Sequence, residues 1–481
     1  MTRTRVAAIV AALCLAALVI AWCGRRPASR TTYGRQLRKS DLTAAQIKYG
    51  IAPVPDPSIV YQPAVVLVGG GPEAVRSLSA TGLTWTIDAG APHAGELVEG
   101  KIMFLTGRAV GRVLDVRKDG GNLAVTLGPV AITEIIRKCD LQYDPIPIDF
   151  SEALRYSVPD LPGRVIPAPG SADARPWRGG EPVVATVAFT ADNPVPDVSS
   201  LVNFTVAPIG SGDGVGLHAS SNGGGMKIEA EALIHLDQPQ IVPRLRLDDD
   251  ANLVEATLTL TGAAGLKMMF KAGTDVGLKA NVNGRLQASP DLSIPIGGPL
   301  PLAVTVRQQI LLKTALGVRN ATLSATGDYT FGGSFMVGYL GKQWTLGGPI
   351  GFTAKQTLME SAAGISIAAS GLDLSHQIKM IFGLGAFGFA TGPYFSLNTG
   401  VGLFKGSDLG TIQCKEATIT VGMSGGIGYL IPKPVTDVIN FILGTLRIKY
   451  RVDGEGGLSV REPLTIINKT QTLPGCGADK G

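Results

Sequence analysis

Glycine and proline are frequent enough to limit the kind of fold that this chain can form. The chain has 63 glycines and 31 prolines in 481 residues. Glycine weakens helices through its conformational entropy and proline through its missing N–H group, whereas both are common in the short turns that join strands. The sequence therefore predicts an all-β fold with many turns.

Alternation of apolar and polar residues supports this prediction. Between residues 254 and 261 the two faces of a strand would carry Val254, Ala256, Leu258 and Leu260 on one side and Glu255, Thr257, Thr259 and Thr261 on the other. The same period of two recurs at 417–421 and 447–452. Repeated strands separated by turns are typical of an antiparallel β-sandwich or barrel.

Composition shifts divide the chain into six predicted parts. These are a signal peptide or membrane anchor at 1–23, a basic, proline-containing linker at 24–60, a small β-barrel-like domain at 61–156, a Pro/Gly-rich linker at 157–180, a large β-sandwich or barrel domain at 181–468, and a tail at 469–481. Within the first linker we expect a short helix at Leu42–Tyr49, started by Ser40 or Asp41.

The N-terminal segment Val6–Trp22 is uninterrupted and apolar, and Arg3 and Arg5 precede it. Its length lies between that of a signal-peptide core and that of a transmembrane helix, so a cleaved signal and an uncleaved anchor both stay open. The basic residues that follow favour the cytoplasmic side of a membrane. Segments of this layout usually direct export, and we therefore expect a membrane-anchored or secreted, extracytoplasmic protein, in the periplasm or at the cell surface of a bacterium.

The low charge of the chain limits which kinds of molecule we expect it to bind. Charged residues make up 17% of the chain, below the usual share of about 25%, and the formal net charge is only +5. A nucleic-acid partner is not indicated. The expected partners are the membrane through residues 6–22, a lipid, and further copies of the chain in a homo-oligomer.

Residues 380–404 contain no charged side chain and are rich in aromatic residues. Glycines and Pro393 favour two strands around a turn at Thr391–Pro393 over a transmembrane helix. After Pro434, an apolar stripe from Val435 to Leu446 predicts an amphipathic helix near the C-terminus.

The two strands predicted within residues 380–404 could form a dry core, enclose an apolar ligand or face lipid. The candidate apolar-ligand or packing surface is Phe382, Leu384, Phe387, Phe389, Tyr394, Phe395, Ile439, Ile442 and Leu443.

Two motifs resemble enzyme signatures, but their sequence context argues against them. Gly69, Gly71 and Ala74 follow a strand-like run with the spacing of a dinucleotide-binding loop, and Asp88 occupies the place of a ribose ligand. Because no long helix or alternation of strands and helices follows, Val65–Val68 is interpreted as a strand and Gly69–Pro72 as a turn.

The segment Gly422–Gly426 matches the G-x-S-x-G motif of α/β hydrolases. No histidine follows His376 in the chain, so a catalytic triad cannot be completed downstream, and a Gly/Ser turn is expected there. We predict no catalytic residue, cofactor or metal site, and the chain is expected not to be an enzyme. The remaining enzyme alternative is a hydrolase in which acids on strands, such as Asp115, Glu134 and Glu229, converge.

Cysteine, histidine and acidic residues give few further candidates. One disulfide between Cys414 and Cys476 would leave Cys139 unpaired. The four histidines are isolated and show no metal-ligand spacing. The run Asp248–Asp250 lacks the spaced oxygens of a calcium loop and is interpreted as a solvated turn.

Residues 99–127 carry a glycine-punctuated pattern and a hairpin. The positions are Gly100, Met103, Gly107, Val110, Gly111 and Val113, with Met103 in place of a valine. This pattern resembles the signature of mammalian-cell-entry (MCE) domains. The resemblance implies a small β-barrel behind a single N-terminal anchor and assembly into lipid-transporting rings. The long segment before the barrel and the large β-rich C-terminal part depart from that family.

These observations predict a non-enzymatic β-rich protein that binds or transports an apolar ligand such as lipid. The alternative is a structural or surface-interaction protein with no small-molecule ligand.

Overall fold

The structure is a computed structural model, and the part of the chain that it describes begins at Gly34. It covers residues 34–79, 82–156, 183–187, 202–211, 214–223, 226–275, 283–287, 291–316, 321–363, 370–385, 390–406, 414–430, 440, 455–459 and 464–472. The predicted anchor at 1–23 and the linker at 157–180 lie outside these residues. Among the residues described, no helix is both long and apolar enough to span a membrane.

Three short α-helices occur in the described residues: α1 (Ala44–Tyr49), α2 (Ile132–Ile135) and α3 (Leu358–Ser361). Single 3-10 turns cover Lys39–Asp41, Gly71–Ala74, Ala94–Glu96 and Phe150–Glu152. Helix α1 begins later than predicted because Thr43, not Ser40 or Asp41, caps it by accepting a hydrogen bond from the Gln46 N–H. Of the predicted helix at 435–446 only Asn440 is described, and it is helical; the rest of that helix stays a prediction.

Strands make up most of the described chain, which confirms the all-β class. In chain order they are β1 (Val60–Tyr61), β2 (Val65–Leu67), β3 (Val75–Leu78), β4 (Thr84–Asp88), β5 (Ile102–Phe104), β6 (Val110–Asp119), β7 (Asn122–Gly128), β8 (Ile136–Gln142), β9 (Ile146–Pro147), β10 (Leu154–Tyr156), β11 (Val183–Val187), β12 (Val202–Ser211), β13 (Gly214–Gly223), β14 (Met226–Leu247), β15 (Leu253–Thr274), β16 (Asn283–Gln287), β17 (Asp291–Pro295), β18 (Ala303–Leu316), β19 (Ala321–Gly332), β20 (Ser334–Leu340), β21 (Gln343–Gly347), β22 (Ile350–Gln356), β23 (Ser370–Gly383), β24 (Ala390–Gly406), β25 (Cys414–Leu430), β26 (Glu455–Ser459) and β27 (Leu464–Thr472).

The strands form three sheets. Sheet 1 has the order β11-β12-β13-β14-β15-β19-β22, with β8 and β9 on β14, β1 on β8, and the β20–β21 hairpin on β15. Sheet 2 has the order β10-β17-β18-β23-β24-β25-β26, with β16 on β18 and β27 on β25. Sheet 3 is open and has the order β2-β5-β6-β7-β4-β3. All described pairs are antiparallel except β2 with β5.

Sheets 1 and 2 face each other as a sandwich. Aromatic rings meet between them: Phe335 of sheet 1 stacks on Phe395 of sheet 2 with their centroids 6.0 Å apart. The inner face of β15 buries Ala256, Leu258 and Leu260, as the alternation predicts. The outer face of sheet 1 carries charged side chains, including the Lys271–Glu229 pair at 3.1 Å.

Two predicted turns are wrong, because the glycines concerned lie inside strands. Residues 391–393 and 422–426 belong to β24 and β25, and the first of these strands starts at Ala390. Strand β23 ends at Gly383, and Leu384 forms an isolated bridge with Thr391. At Gly425 a Cβ atom would overlap Cγ2 of Val337 on the facing sheet. Glycine is needed there so that the two sheets can approach each other closely.

Sheet 3 has its own core, in which Trp85, Ile87 and Val125 are buried. Its β6–β7 hairpin turns at Asp119–Asn122, as predicted, and Gly120 has a φ of 59°.

Other strands from the range 61–156 extend the larger sheets. Strands β8 and β9 pair with β14, and β10 pairs with β17. Residues before 61 are also held in place, since Gln36 forms a bridge with Ile296 and exchanges hydrogen bonds with the Asp149 backbone at 2.6 and 2.8 Å. Backbone pairing thus links these segments to sheets 1 and 2.

Candidate functional site

An apolar cleft opens where the edges of sheets 1 and 2 separate. It lies between β19, β22 and α3 on one side and β25 and β27 on the other, and its volume is about 170 Å³. We call this site the cleft, and it is lined by Tyr329, Phe352, Ala354, Thr357, Leu358, Ala417, Thr418, Ile419, Lys469 and Gln471.

Strand alternation places the lining side chains of sheet 2. Ala417 and Ile419 are on the buried face of β25, and their direct partners on β27 are Gln471 and Lys469. Side chains directly opposite each other on antiparallel strands lie on the same face. The apolar pair therefore forms the floor of the cleft, and the exposed polar pair forms its mouth.

Helix α3 closes one end of the cleft and is fixed by hydrogen bonds. Thr357 accepts a hydrogen bond from the Glu360 N–H at 3.1 Å, and the Glu360 carboxylate accepts one from the Thr357 N–H at 3.1 Å. The hydrogen bond that the Glu360 carboxylate accepts from the Thr357 N–H lowers the pKa of Glu360. The Ser361 hydroxyl accepts from the Thr326 N–H at 2.7 Å and donates to the Thr326 carbonyl at 2.6 Å. The wall is thus tied to β19 and preformed.

Tyr329 forms part of the floor and is only 4% exposed. Burial raises the pKa of its hydroxyl, and a hydrogen bond from the Leu358 backbone partly offsets this effect. The side chain therefore stays neutral at physiological pH and presents its ring to the cleft.

An aromatic ladder runs from the cleft into the sandwich. Phe352 stacks on Tyr329 at 5.0 Å and on Phe331 at 5.8 Å, measured between ring centroids. Phe331 contacts Phe335 at 6.2 Å, and Phe335 stacks on Phe395 at 6.0 Å. We use "aromatic ladder" for these five residues. Such ring contacts stabilise the arrangement by about 0.5–1.5 kcal/mol each beyond the area they bury.

Among the described residues that line the cleft, Lys469 is the only charged one. Its side chain is exposed at the mouth. Within the part of the chain that the structure describes, no carboxylate lies within ion-pair distance of its ammonium group. The cleft thus combines an apolar interior with a cationic, hydrogen-bonding mouth.

The structure describes four of the nine residues predicted to form an apolar ligand or packing surface. Phe382, Leu384, Tyr394 and Phe395 are at most 9% exposed, and Phe382 packs edge-on against Tyr143. None of the four lines the cleft, although Phe395 ends the aromatic ladder. Phe387, Phe389, Ile439, Ile442 and Leu443 lie outside the described residues, as does the sulfur of Cys414 and all of Cys476.

The acids suggested for a hydrolase are not brought together. Asp115 on sheet 3 pairs with Arg117 at 2.7 Å, and Glu134 pairs with Arg112. Glu229 lies on sheet 1, where it pairs with Lys271. No group of three or more metal-ligating side chains occurs among the described residues. Each of these acids therefore has a local cationic partner.

The glycine-rich loop at 69–71 is followed by a single 3-10 turn and strand β3. Asp88 accepts a hydrogen bond from the Gly90 N–H at 2.8 Å and pairs with Arg76 at 2.6 Å. These two contacts lower the pKa of Asp88. The carboxylate stabilises a turn and an exposed strand pair.

His376 and Asp248 each have hydrogen-bond partners within the fold. His376 is 1% exposed, and its Nε2 lies 3.3 Å from Oε1 of Gln308. Asp248 accepts hydrogen bonds from the N–H groups of Asp250 and Asn252 at 3.0 and 2.8 Å, which confirms the predicted turn.

The MCE-like positions lie in the β5–β6 region of sheet 3. Met103, Val110 and Val113 are buried, and Gly107 lies against Pro301. Glycine at 107 is required because a Cβ atom there would be 2.6 Å from the Pro301 carbonyl oxygen. The resemblance to that family stays a prediction.

Comparison with known families identifies two regions of the sequence. The model described as Domain of unknown function (DUF8402) matches residues 190–457, and the model described as Domain of unknown function (DUF8403) matches residues 45–138. Because the first match covers more than half of the chain, the chain belongs to the DUF8402 family. Searches of curated proteins and of solved structures gave no match.

Proposed function

We propose that this member of the DUF8402 family is a non-enzymatic, membrane-anchored or exported protein that binds an apolar group, such as the end of a lipid acyl chain, in its cleft. The observation that carries this proposal is the open cleft, which helix α3 closes at one end and which the stacked rings of Tyr329 and Phe352 line. An open apolar cavity of a folded protein is a default ligand site when polar groups stand at its mouth.

The size of the cleft supports a short apolar group as its occupant. A dry apolar cavity of about 150 Å³ holds one benzene molecule. A volume of about 170 Å³ therefore accommodates about six carbon atoms. The cleft suits one chain end or one ring, and the rest of a longer ligand would extend past Lys469 and Gln471 into solvent.

Burial of such a group supplies useful binding energy. At about 0.8 kcal/mol per methylene, six buried carbons contribute about 5 kcal/mol before the cost of association. A free energy of about 5 kcal/mol corresponds to a Kd of about 0.2 mM, and the cost of association weakens the binding further. Contacts of the polar part of an amphiphile with the mouth would strengthen it.

The sequence supports the cellular location. The apolar segment Val6–Trp22 follows two arginines, and the body that follows is all-β. An apolar ligand is most abundant near a bilayer, so a membrane-proximal position would bring the cleft close to its source.

A matched pair of variants on β22 tests the proposal. Ala354→Phe places a ring in the cleft, whereas Thr353→Phe places the same ring on the opposite face of the strand. The full chain is prepared in amphipol and titrated with the fluorescent fatty acid cis-parinaric acid. We expect Ala354→Phe to weaken binding at least about tenfold, which is about 1.4 kcal/mol.

The control variant Thr353→Phe should bind like the unmodified chain, because its ring lies outside the cleft. Binding of the fatty acid to the amphipol is the same in all three samples. Equal affinity for both variants would contradict cleft binding. Saturable binding to none of the three would favour the alternative, a structural or surface-interaction protein without a small-molecule ligand.

A further inference from the structure

The mouth of the cleft carries a lysine on the core-facing side of a strand. Strand β27 pairs with β25, and among the described strands it has no second partner. Because side chains alternate along a strand, Lys469 lies on the same face as Ile467, which is 6% exposed. Its direct partner on β25 is Ile419, which is also buried. The cation of Lys469 thus stands at the rim of an apolar surface.

Gln471 lies two residues further along the same face of β27, so that two hydrogen-bond donors stand together at the mouth. Both side chains are exposed. Their direct partners, Ile419 and Ala417, form the floor of the cleft. An ammonium group and an amide supply N–H donors, and a carboxylate has two oxygens that accept such bonds. The mouth is therefore suited to a carboxylate whose apolar part lies in the cleft.

The size of the cleft sets the distance between this cation and the buried end of a ligand. The Cβ atoms of direct partners such as Ile419 and Lys469 lie about 5 Å apart, and facing sheets are about 10 Å apart. The volume of about 170 Å³ accommodates about six carbon atoms. With one or two more carbons to cross the mouth, a carboxylate at Lys469 is about six to eight carbons from the buried end.

We infer that the ligand of the cleft is a compact organic acid of about six to eight carbons, whose carboxylate is bound by Lys469 and Gln471. A longer fatty acid also fills the cleft with its methyl end, but its carboxylate then extends into solvent beyond these two donors. A neutral alcohol of the same length fills the cleft without using the cation. The inference rests on the proposed binding of an apolar group and adds the head group and the length that are selected.

The exposure of Lys469 limits the strength of this selection. Ion pairs between exposed groups contribute up to about 1 kcal/mol, which corresponds to about fivefold in Kd. A lysine that faces inward on an edge strand has a second possible role, since such charges prevent pairing with another sheet. That role predicts no dependence of binding on the head group of a ligand.

Displacement of cis-parinaric acid compares two head groups on one tail. The full chain in amphipol is loaded with this long-chain probe and titrated with octanoate or with 1-octanol at pH 7, where a carboxyl group is ionised. Lys469→Gln should weaken octanoate binding about fivefold and change 1-octanol binding less than about twofold. Lys469→Arg keeps the positive charge and should keep the affinity for octanoate.

The probe itself tests the length argument. Its carboxylate lies beyond the mouth when its methyl end is in the cleft, so Lys469→Gln should change the affinity for cis-parinaric acid less than about twofold. Lys342→Gln is the matched control, because it removes the same charge from an exposed turn outside the cleft, between β20 and β21. It should leave the affinities for octanoate and 1-octanol unchanged.

Failure of this inference is distinguishable from failure of the proposed function. Octanoate affinity that is unchanged in Lys469→Gln, or lowered equally in Lys342→Gln, would overturn the selection of a carboxylate and leave apolar binding in the cleft intact. Equal weakening of octanoate and of the long-chain probe in Lys469→Gln would overturn the selection of length. Binding of the probe that is absent, or insensitive to Ala354→Phe, would overturn the proposed function and this inference together.

Discussion

His376 should make the stability of the protein depend on pH through its burial in the sandwich. The residue lies on β23, where its direct partners are Ile310 on β18 and Thr399 on β24. All three side chains are at most 1% exposed. The hydrogen-bond partner of its Nε2 is the neutral side chain of Gln308, at 3.3 Å. Desolvation lowers the pKa of His376 from 6.5 to about 3.

The direction of the effect follows from this shift. In the unfolded chain the imidazole takes up a proton below about pH 6.5, whereas in the folded chain it stays neutral until about pH 3. Stability is therefore fully present above pH 6.5 and falls as the pH is lowered towards 3. Between pH 7 and pH 5 this group should reduce the free energy of unfolding by about 1.9 kcal/mol, and the slope below its unfolded pKa is about 1.4 kcal/mol per pH unit.

Urea unfolding of the purified chain at pH 7, 6 and 5 measures this dependence. His376→Gln removes the titrating group and keeps a neutral amide, so the variant should lose about 1.9 kcal/mol less than the unmodified chain over this range. His235→Gln is the control, since His235 is exposed, and it should keep the full dependence. Equal losses in the unmodified chain and in His376→Gln would refute the reasoning.

Two further predictions concern the packing of the sandwich. Gly425→Ala should destabilise the protein by about 2 kcal/mol, because its Cβ would overlap Cγ2 of Val337 and lie 2.9 Å from the Tyr394 carbonyl oxygen. Val337→Ala in the same chain removes the first of these contacts and should restore part of the loss in a double-mutant cycle. Gly422→Ala is the control with a neutral effect, because the nearest atom to its Cβ would be 3.7 Å away; equal losses for the two alanines would contradict this account. Cys139 is 1% exposed and burial raises its thiol pKa to about 12, so iodoacetamide at pH 8 should modify it only after unfolding, as mass spectrometry of its peptide can show; rapid labelling of the folded chain would be inconsistent with this burial.

Local patterns predicted much of the strand content. Alternation at 254–261 identified the inner face of β15, and the turn residues at 119–122 identified the β6–β7 hairpin, because both signals depend on neighbouring residues. The turn predictions at 391–393 and 422–426 failed because glycine there permits contact with other strands. Such contacts depend on which sheets face each other, and local sequence carries no information about this.

The cleft could not be predicted in the same way. Its lining comes from residues 329, 352–358, 417–419 and 469–471, which meet only after two sheets have formed and packed. The apolar character of each strand was visible, but apolar strands pack into a core by default. Lys469 and Gln471 belong to strand β27, although the sequence predicted that the large domain ends at 468. Phe395 was predicted as part of an apolar surface and is connected to the cleft through the aromatic ladder.

Photo-crosslinking tests the central claim, binding of an apolar group in the cleft, most directly. A fatty acid with a diazirine at the end of its acyl chain is added to the full chain in amphipol, and the modified peptides are identified by mass spectrometry after irradiation. The account predicts adducts on peptides that contain Phe352, Leu358 and Ile419, and it predicts their loss in Ala354→Phe but not in Thr353→Phe. Adducts confined to other parts of the chain, or unchanged in Ala354→Phe, would contradict it.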